Sequence, residues 1–286
     1  MNVLSKMEQI ANLTNSEVIL STFIMNFPYK FVKMKLSEVC EHCFVSKSTV
    51  YRLCEKLNLS GFSELKLMIS KDCEEYTNIK NTKVNYDFPI TAVKDLDLKI
   101  PNNLEQLYEN TIKSTKSLVE AKTFKSVAEL LKKAQVVDIY TSAGSVFFAE
   151  NFQFQMAEIG KVITLPKEEY LQHLTAAKSD ENHVAIVISF GGRWKNINSI
   201  LSLLRANNTK IIFITSAVNK NSSITAEHLI FMNPYENHYN KISSFSTRLS
   251  LLYILDTIYA YYFQLDFDAN MTFKINTYEK MVKKIK

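Results

Sequence analysis

Residues 36–62, LSEVCEHCFVSKSTVYRLCEKLNLSGF, hold two helical stripes separated by a break long enough only for a turn. Leu36, Val39, Cys40 and Cys43 fall at i, i+3, i+4 and i+7, one face of a helix, and Val50, Leu53, Cys54 and Leu57 repeat that spacing. Two amphipathic helices this short bury little alone, so the pattern calls for a third helix and predicts a helix-turn-helix within an all-α domain. Ser46-Lys47-Ser48-Thr49 opens the second helix with hydroxyls that can cap an N-terminus or meet a phosphate. Tyr51, Arg52 and Lys56 lie off its apolar stripe, as in a helix presented to a major groove. Ser46, Lys47, Ser48, Thr49, Tyr51, Arg52 and Lys56 are therefore the expected DNA contacts. A helical hairpin without a DNA partner has the same local pattern.

The net charge of +5 is mild and does not by itself indicate a polyanion partner. Its distribution is more informative: Lys30, Lys33, Lys35, Lys47, Arg52 and Lys56 gather around the paired stripes, with Glu38, Glu41 and Glu55 interleaved. Cys40 and Cys43 have C-x-x-C spacing, with His42 between them and Cys54 beyond. All three cysteines sit at apolar-stripe positions, so packing is expected and a metal site is not. The apolar tract around Leu249–Phe263 contains Ser250, Asp256 and Thr257 and is too short and polar for a membrane span. The first residues lack a cationic segment followed by an apolar core, so a cytoplasmic protein is expected.

At 286 residues, two domains are the natural expectation. Residues 1–76 read as helical: Val3–Leu13, Glu17–Asn26 (broken by Pro28), Leu36–Cys43, Lys47–Leu57 and Ser63–Tyr76. Residues 77–103 are polar, contain Pro89 and Pro101 and read as a linker. Helical periodicity returns from Leu104 to Ala134. Five strands are then predicted at Val136–Thr141, Lys161–Leu165, His183–Phe190, Lys210–Thr215 and His228–Met232, with helices between them. The alternation implies an α/β three-layer sandwich over residues 104–270 with a parallel five-stranded sheet. The apolar helix Phe245–Phe263 suits a core or a subunit interface, and residues 271–286 read as a basic, solvated tail.

Only five glycines occur, and they are expected where backbone geometry demands them. Two glycine sites follow predicted strands, where open parallel sheets bind ligands. Ser142, Gly144 and Ser145 follow the first; Ser189, Gly191, Gly192 and Arg193 follow the third. Backbone amides and hydroxyls at these turns would suit an anion; tight turns with capping serines are the alternative. No histidine, serine, cysteine and carboxylate spacing suggests a catalytic set, so no enzyme activity or cofactor is expected.

Both halves, in this order, resemble the RpiR/MurR family of bacterial transcriptional regulators, with an N-terminal helix-turn-helix and a C-terminal sugar isomerase (SIS) domain. Val45–Ile69, VSKSTVYRLCEKLNLSGFSELKLMI, is similar to the family's recognition helix and exit turn. IYTSAGSVFFAENF resembles the first strand-turn-helix of the SIS domain and places Ser145 on a phosphosugar-binding serine. ISFGGRWKNI resembles the second loop; Ser189 and Gly192 match, while Gly191, Trp194 and Asn196 replace a serine, a threonine and a glutamate. Gln172 falls near a glutamine common in the family. The resemblance implies a homodimeric or larger operator-binding regulator of carbohydrate metabolism, responsive to a sugar phosphate. Two alternatives are a SIS domain that only dimerises and an isomerase with a helical appendage.

Overall fold

The computed structural model describes residues 3, 7, 10, 12–78, 84, 86–87, 99–191, 196–217, 219, 224–237 and 241–283. The chain divides into two units, Met1–Thr91 with Asn237–Ile242, and Ala92–Glu236 with Ser243–Lys286. Most of the expected helix Val3–Leu13 lies outside the described residues.

The first unit is helical: α1 (Asn15–Asn26), α2 (Pro28–Lys33), α3 (Leu36–Cys43), α4 (Lys47–Lys56) and α5 (Phe62–Asn78). Pro28 does not simply end a helix. It opens α2 at the first position, where its missing N–H costs nothing and its fixed φ fits. Val39, Cys43, Val50, Leu53, Cys54 and Leu57 are all buried with Leu20, Phe31, Leu65 and Ile69, so both stripes of the opening motif meet in one core. Burial raises the Cys43 thiol pKa and pushes that of Cys54 up to about 11, leaving both as small apolar groups at neutral pH.

The second unit begins with α6 (Lys99–Leu118) and α7 (Ala121–Lys133). α6 starts inside the expected linker; Pro101 is tolerated because it falls in the first turn. Then follow β1 (Val136–Tyr140), α8 (Ser145–Glu158), α9 (Glu169–Lys178), β2 (His183–Ser189), α10 (Ile197–Ala206), β3 (Lys210–Ser216) and β4 (His228–Met232). Two C-terminal helices close the unit, α11 (Phe245–Leu265) and α12 (Phe267–Lys283).

The sheet has four parallel strands in the order β1-β2-β3-β4, not the expected five. Lys161–Leu165 touches β1 through one bridge, Asp138 to Thr164. Ile139 donates its N–H to the Thr164 carbonyl and Thr164 donates to that of Val137, both at 2.8 Å. Pro166 follows immediately and cannot extend a ladder.

Both sheet faces are covered. Val184, Ile186 and Ile188 of β2 join residues of α7, α8 and α11, whereas Ala185 and Val187 join residues of α9 and α10. Residues 271–283, expected within a solvated tail, belong to α12, which starts at Phe267. None of its residues is buried.

Candidate nucleic-acid interface and ligand crevice

The turn between α3 and α4 is closed by backbone bonds. Val45 N–H donates to Cys40 O (2.9 Å) and Phe44 N–H to Glu41 O (3.3 Å), with Phe44 left-handed at φ 52°. Ser46 then caps α4, its Oγ accepting the Thr49 N–H at 3.2 Å. The Ser46 hydroxyl also lies 2.7 Å from that of Ser48 and 2.9 Å from that of Thr49.

Lys47, Ser48, Tyr51 and Arg52 are exposed, and neither Lys47 nor Arg52 forms an ion pair among the described residues. Two expected contacts are placed differently. Thr49 is 3% exposed, with its hydroxyl turned to the cap, because it shares the buried side of α4 with Val50 and Leu53. Lys56 binds Glu17 Oε2 at 2.7 Å and the Asn12 carbonyl at 2.9 Å. Its ammonium serves the interior of the unit.

Sequence reasoning missed Glu17. The carboxylate is fully buried, and Oε2 accepts bonds from the Thr14 N–H (2.7 Å), the Thr14 hydroxyl (2.9 Å) and Lys56. Burial alone would raise its pKa, but the Lys56 and Thr14 bonds outweigh it and hold the carboxyl at about 2. The Thr14-x-x-Glu17 spacing of a capping box was the available signal.

In the second unit, the chain leaves β1 toward α8 on one face of the sheet and leaves β2 toward α10 on the other. The adjoining carboxyl ends of β1 and β2 are therefore a topological switch point, the place where open α/β sheets hold their ligands. Ser142, Ser145, Ser189 and Gly191 are partly exposed at these two ends, and Gly144 is exposed. Gly192 and Arg193, and with them Trp194, lie outside the described residues. Gly144 caps α8 without a side-chain bond and has an ordinary φ of −64°. A Cβ there would meet nothing within 4 Å. Contrary to expectation, neither its backbone nor its neighbours require a glycine at this point.

Gln172 has another role than the expected ligand contact. It is 2% exposed, and its Nε2 donates to the carbonyls of Thr141 (2.9 Å) and Pro166 (3.1 Å). The Thr141 hydroxyl in turn donates to Ile188 O at 3.1 Å. The two residues fix the β1 loop from behind.

The sequence model described as a helix-turn-helix domain of the rpiR family matches residues 1–75, and that of the SIS domain matches residues 130–259. The chain belongs to the RpiR family. This RpiR-family chain is 25% identical over 264 residues to an uncharacterized HTH-type transcriptional regulator of Haemophilus influenzae, covering 91% of this chain and 89% of the relative. It is 22% identical over 221 residues to the HTH-type transcriptional regulator HexR of Escherichia coli, covering 76% and 73%. Among solved structures, the fold resembles Vibrio vulnificus NanR complexed with ManNAc-6P, with a TM-score of 0.59, 14% identity and coverage of 99% and 98%. It also resembles the sugar isomerase domain of an RpiR transcription factor from Sphaerobacter thermophilus, with a TM-score of 0.54, 12% identity and coverage of 63% and 99%. At these identities the structural likeness concerns the fold alone.

Proposed function

We propose that this chain is a cytoplasmic, self-associating transcriptional regulator, not an enzyme, that binds operator DNA through α4 and a sugar phosphate in the crevice after β1 and β2. The observation that carries the DNA reading is the exposed row Lys47, Ser48, Tyr51 and Arg52 on a serine-capped helix whose other face is wholly buried. The ligand reading rests on the switch point, where α8 starts without a side-chain cap and Ser142, Ser145 and Ser189 are partly exposed. Lys56 and Thr49 act as supports of the helix; Gln172 supports the loop.

Operator selection from random-sequence DNA, followed by affinity measurement, tests the first half. Arg52→Ala is expected to lose about 1–3 kcal/mol and relax the preference at one base. Equal affinity and preference in the variant would remove α4 as the reading element. Thermal shift with hexose, amino-sugar and pentose phosphates tests the second half, because a ligand of the native state must stabilise it. No shift with any of them at millimolar concentration would leave the domain as a scaffold.

A further inference from the structure

Among the described residues, five that are not glycine have a left-handed backbone: Asn12, Phe44, Asn58, Ala143 and Asn208. Three are asparagine, whose short side chain bonds locally and eases that conformation; Phe44 and Ala143 have no such relief. These two lie in the two regions proposed for binding. Ala143 is in the turn between β1 and α8, and Phe44 is in the turn that leads into α4. Conformations that local packing does not require persist chiefly at binding and catalytic sites.

Phe44 is the most exposed large apolar side chain among the described residues, at 95%. Its neighbours Cys43 and Val45 are both buried. The turn is pinned by the Phe44 and Val45 N–H groups, which donate to Glu41 O and Cys40 O at 3.3 and 2.9 Å. The backbone is thus held on both sides while the ring stands in water. A side chain presented this way has little backbone freedom left to lose on meeting a partner.

Phe44 is two residues before the cap Ser46. Successive Cα atoms are about 3.8 Å apart, so its Cα lies within about 7.6 Å of that of Ser46. A major groove is about 12 Å wide, and a recognition helix brings its N-terminal residues to the base edges there. With α4 so placed, the ring reaches the groove beside Lys47 and Ser48. It has no charge and no hydrogen-bonding group to offer a phosphate. The apolar group that the major groove presents is the C5 methyl of thymine.

We propose that Phe44 is a base-reading residue, whose ring covers the C5 methyl of a thymine at the edge of the site read by α4. The proposal rests on the reading of α4 as the DNA-binding helix and adds a contact from the turn before it.

Affinities of the full wild-type chain, Phe44→Asn and Phe44→Gly for the selected operator test it. Each thymine of the operator is replaced in turn by deoxyuridine, which lacks only the methyl group. Both new residues suit a left-handed turn, so the urea midpoints are not expected to fall. Operator affinity is expected to fall about 5–10-fold in both variants. The slope of log affinity against log salt should stay the same, because no cation is removed. For the wild-type chain, deoxyuridine at one thymine position should cost about fourfold, the worth of one buried methyl group. For the variants the same replacement should cost nothing more. Variants that bind as tightly as the wild-type chain, or losses that couple to no thymine, would overturn the proposal. A lowered urea midpoint in both variants would assign the ring to packing and overturn it too. A wild-type chain that selects no DNA sequence would remove the reading of α4 itself. Binding that depends on Arg52 but not on Phe44 would keep that reading and reject this contact.

Discussion

Among the described residues, four helices are followed by one hydrogen-bond pattern, in which a left-handed residue bonds back three positions and the residue after it bonds back five. The left-handed residues are Phe44, Asn58, Gly160 and Asn208. Glycine and asparagine suit that conformation; phenylalanine does not, and Phe44 is also 95% exposed, so burial returns nothing. A left-handed non-glycine residue costs about 1–2 kcal/mol, and glycine costs about 0.5–1 kcal/mol in unfolded-chain entropy. Phe44→Gly is therefore expected to stabilise the first unit by about 0.5–1 kcal/mol, measured as a rise in urea midpoint at constant slope. A lowered midpoint would show that the ring has a packing role in the folded chain. Glu17 gives the opposite case. Its pKa falls from an ordinary 4.5 to about 2 on folding, so its contribution is full above about 4.5 and is lost as pH falls through about 2. The amount is on the order of 3 kcal/mol. Glu17→Gln should lose most of it at pH 7, and the variant's stability should vary less between pH 2 and 5 than that of the wild-type chain. Parallel pH curves would mean that the carboxylate is not the group that titrates.

At the scale of elements, helices were legible where a stripe was complete. Leu36–Cys43 is seen as expected and Lys47–Leu57 to within one residue, since the same positions that mark the period also fill the core. The fifth strand failed for a reason outside its own residues. Lys161–Leu165 has strand-like composition, but pairing is set by how it meets the edge of β1, and Pro166 ends it after one bridge. α12 was hidden by its lysines, although the 3.5-residue spacing of Met271, Ile275, Tyr278 and Val282 was present throughout. Gln172 joins elements that are remote in sequence. Gln172→Leu should leave the Thr141 and Pro166 carbonyls without their buried donor, costing about 1–3 kcal/mol in the second unit. The same variant should weaken any sugar-phosphate binding, because the Ser142–Ser145 turn loses its backing. Calorimetric melting and titration with the ligand found by thermal shift check both, and an unchanged melting temperature would contradict the role given to the amide.

At the scale of the whole molecule, a regulator needs its ligand and its operator to be energetically coupled, and such coupling is reciprocal. If the ligand changes operator affinity by some factor, operator DNA must change ligand affinity by the same factor. A coupling of 5–150-fold, about 1–3 kcal/mol, is the range expected of such a sensor. Titrating the ligand with and without saturating operator measures it; equal ligand affinity in both would separate the two halves functionally.

The sequence by itself determined the helical N-terminal part with its helix-turn-helix and the α/β part with a parallel sheet that follows, because both depend on local periodicity. Tertiary structure alone decided which expected contacts are available. Lys56 is claimed by a carboxylate 39 positions earlier, Thr49 turns inward, and Gln172 serves two carbonyls. Spacing along a chain reports which face a residue shares. It does not report which buried charge or unpaired carbonyl from elsewhere will claim that residue first, and the cost of leaving such groups unpaired in the interior settles the competition.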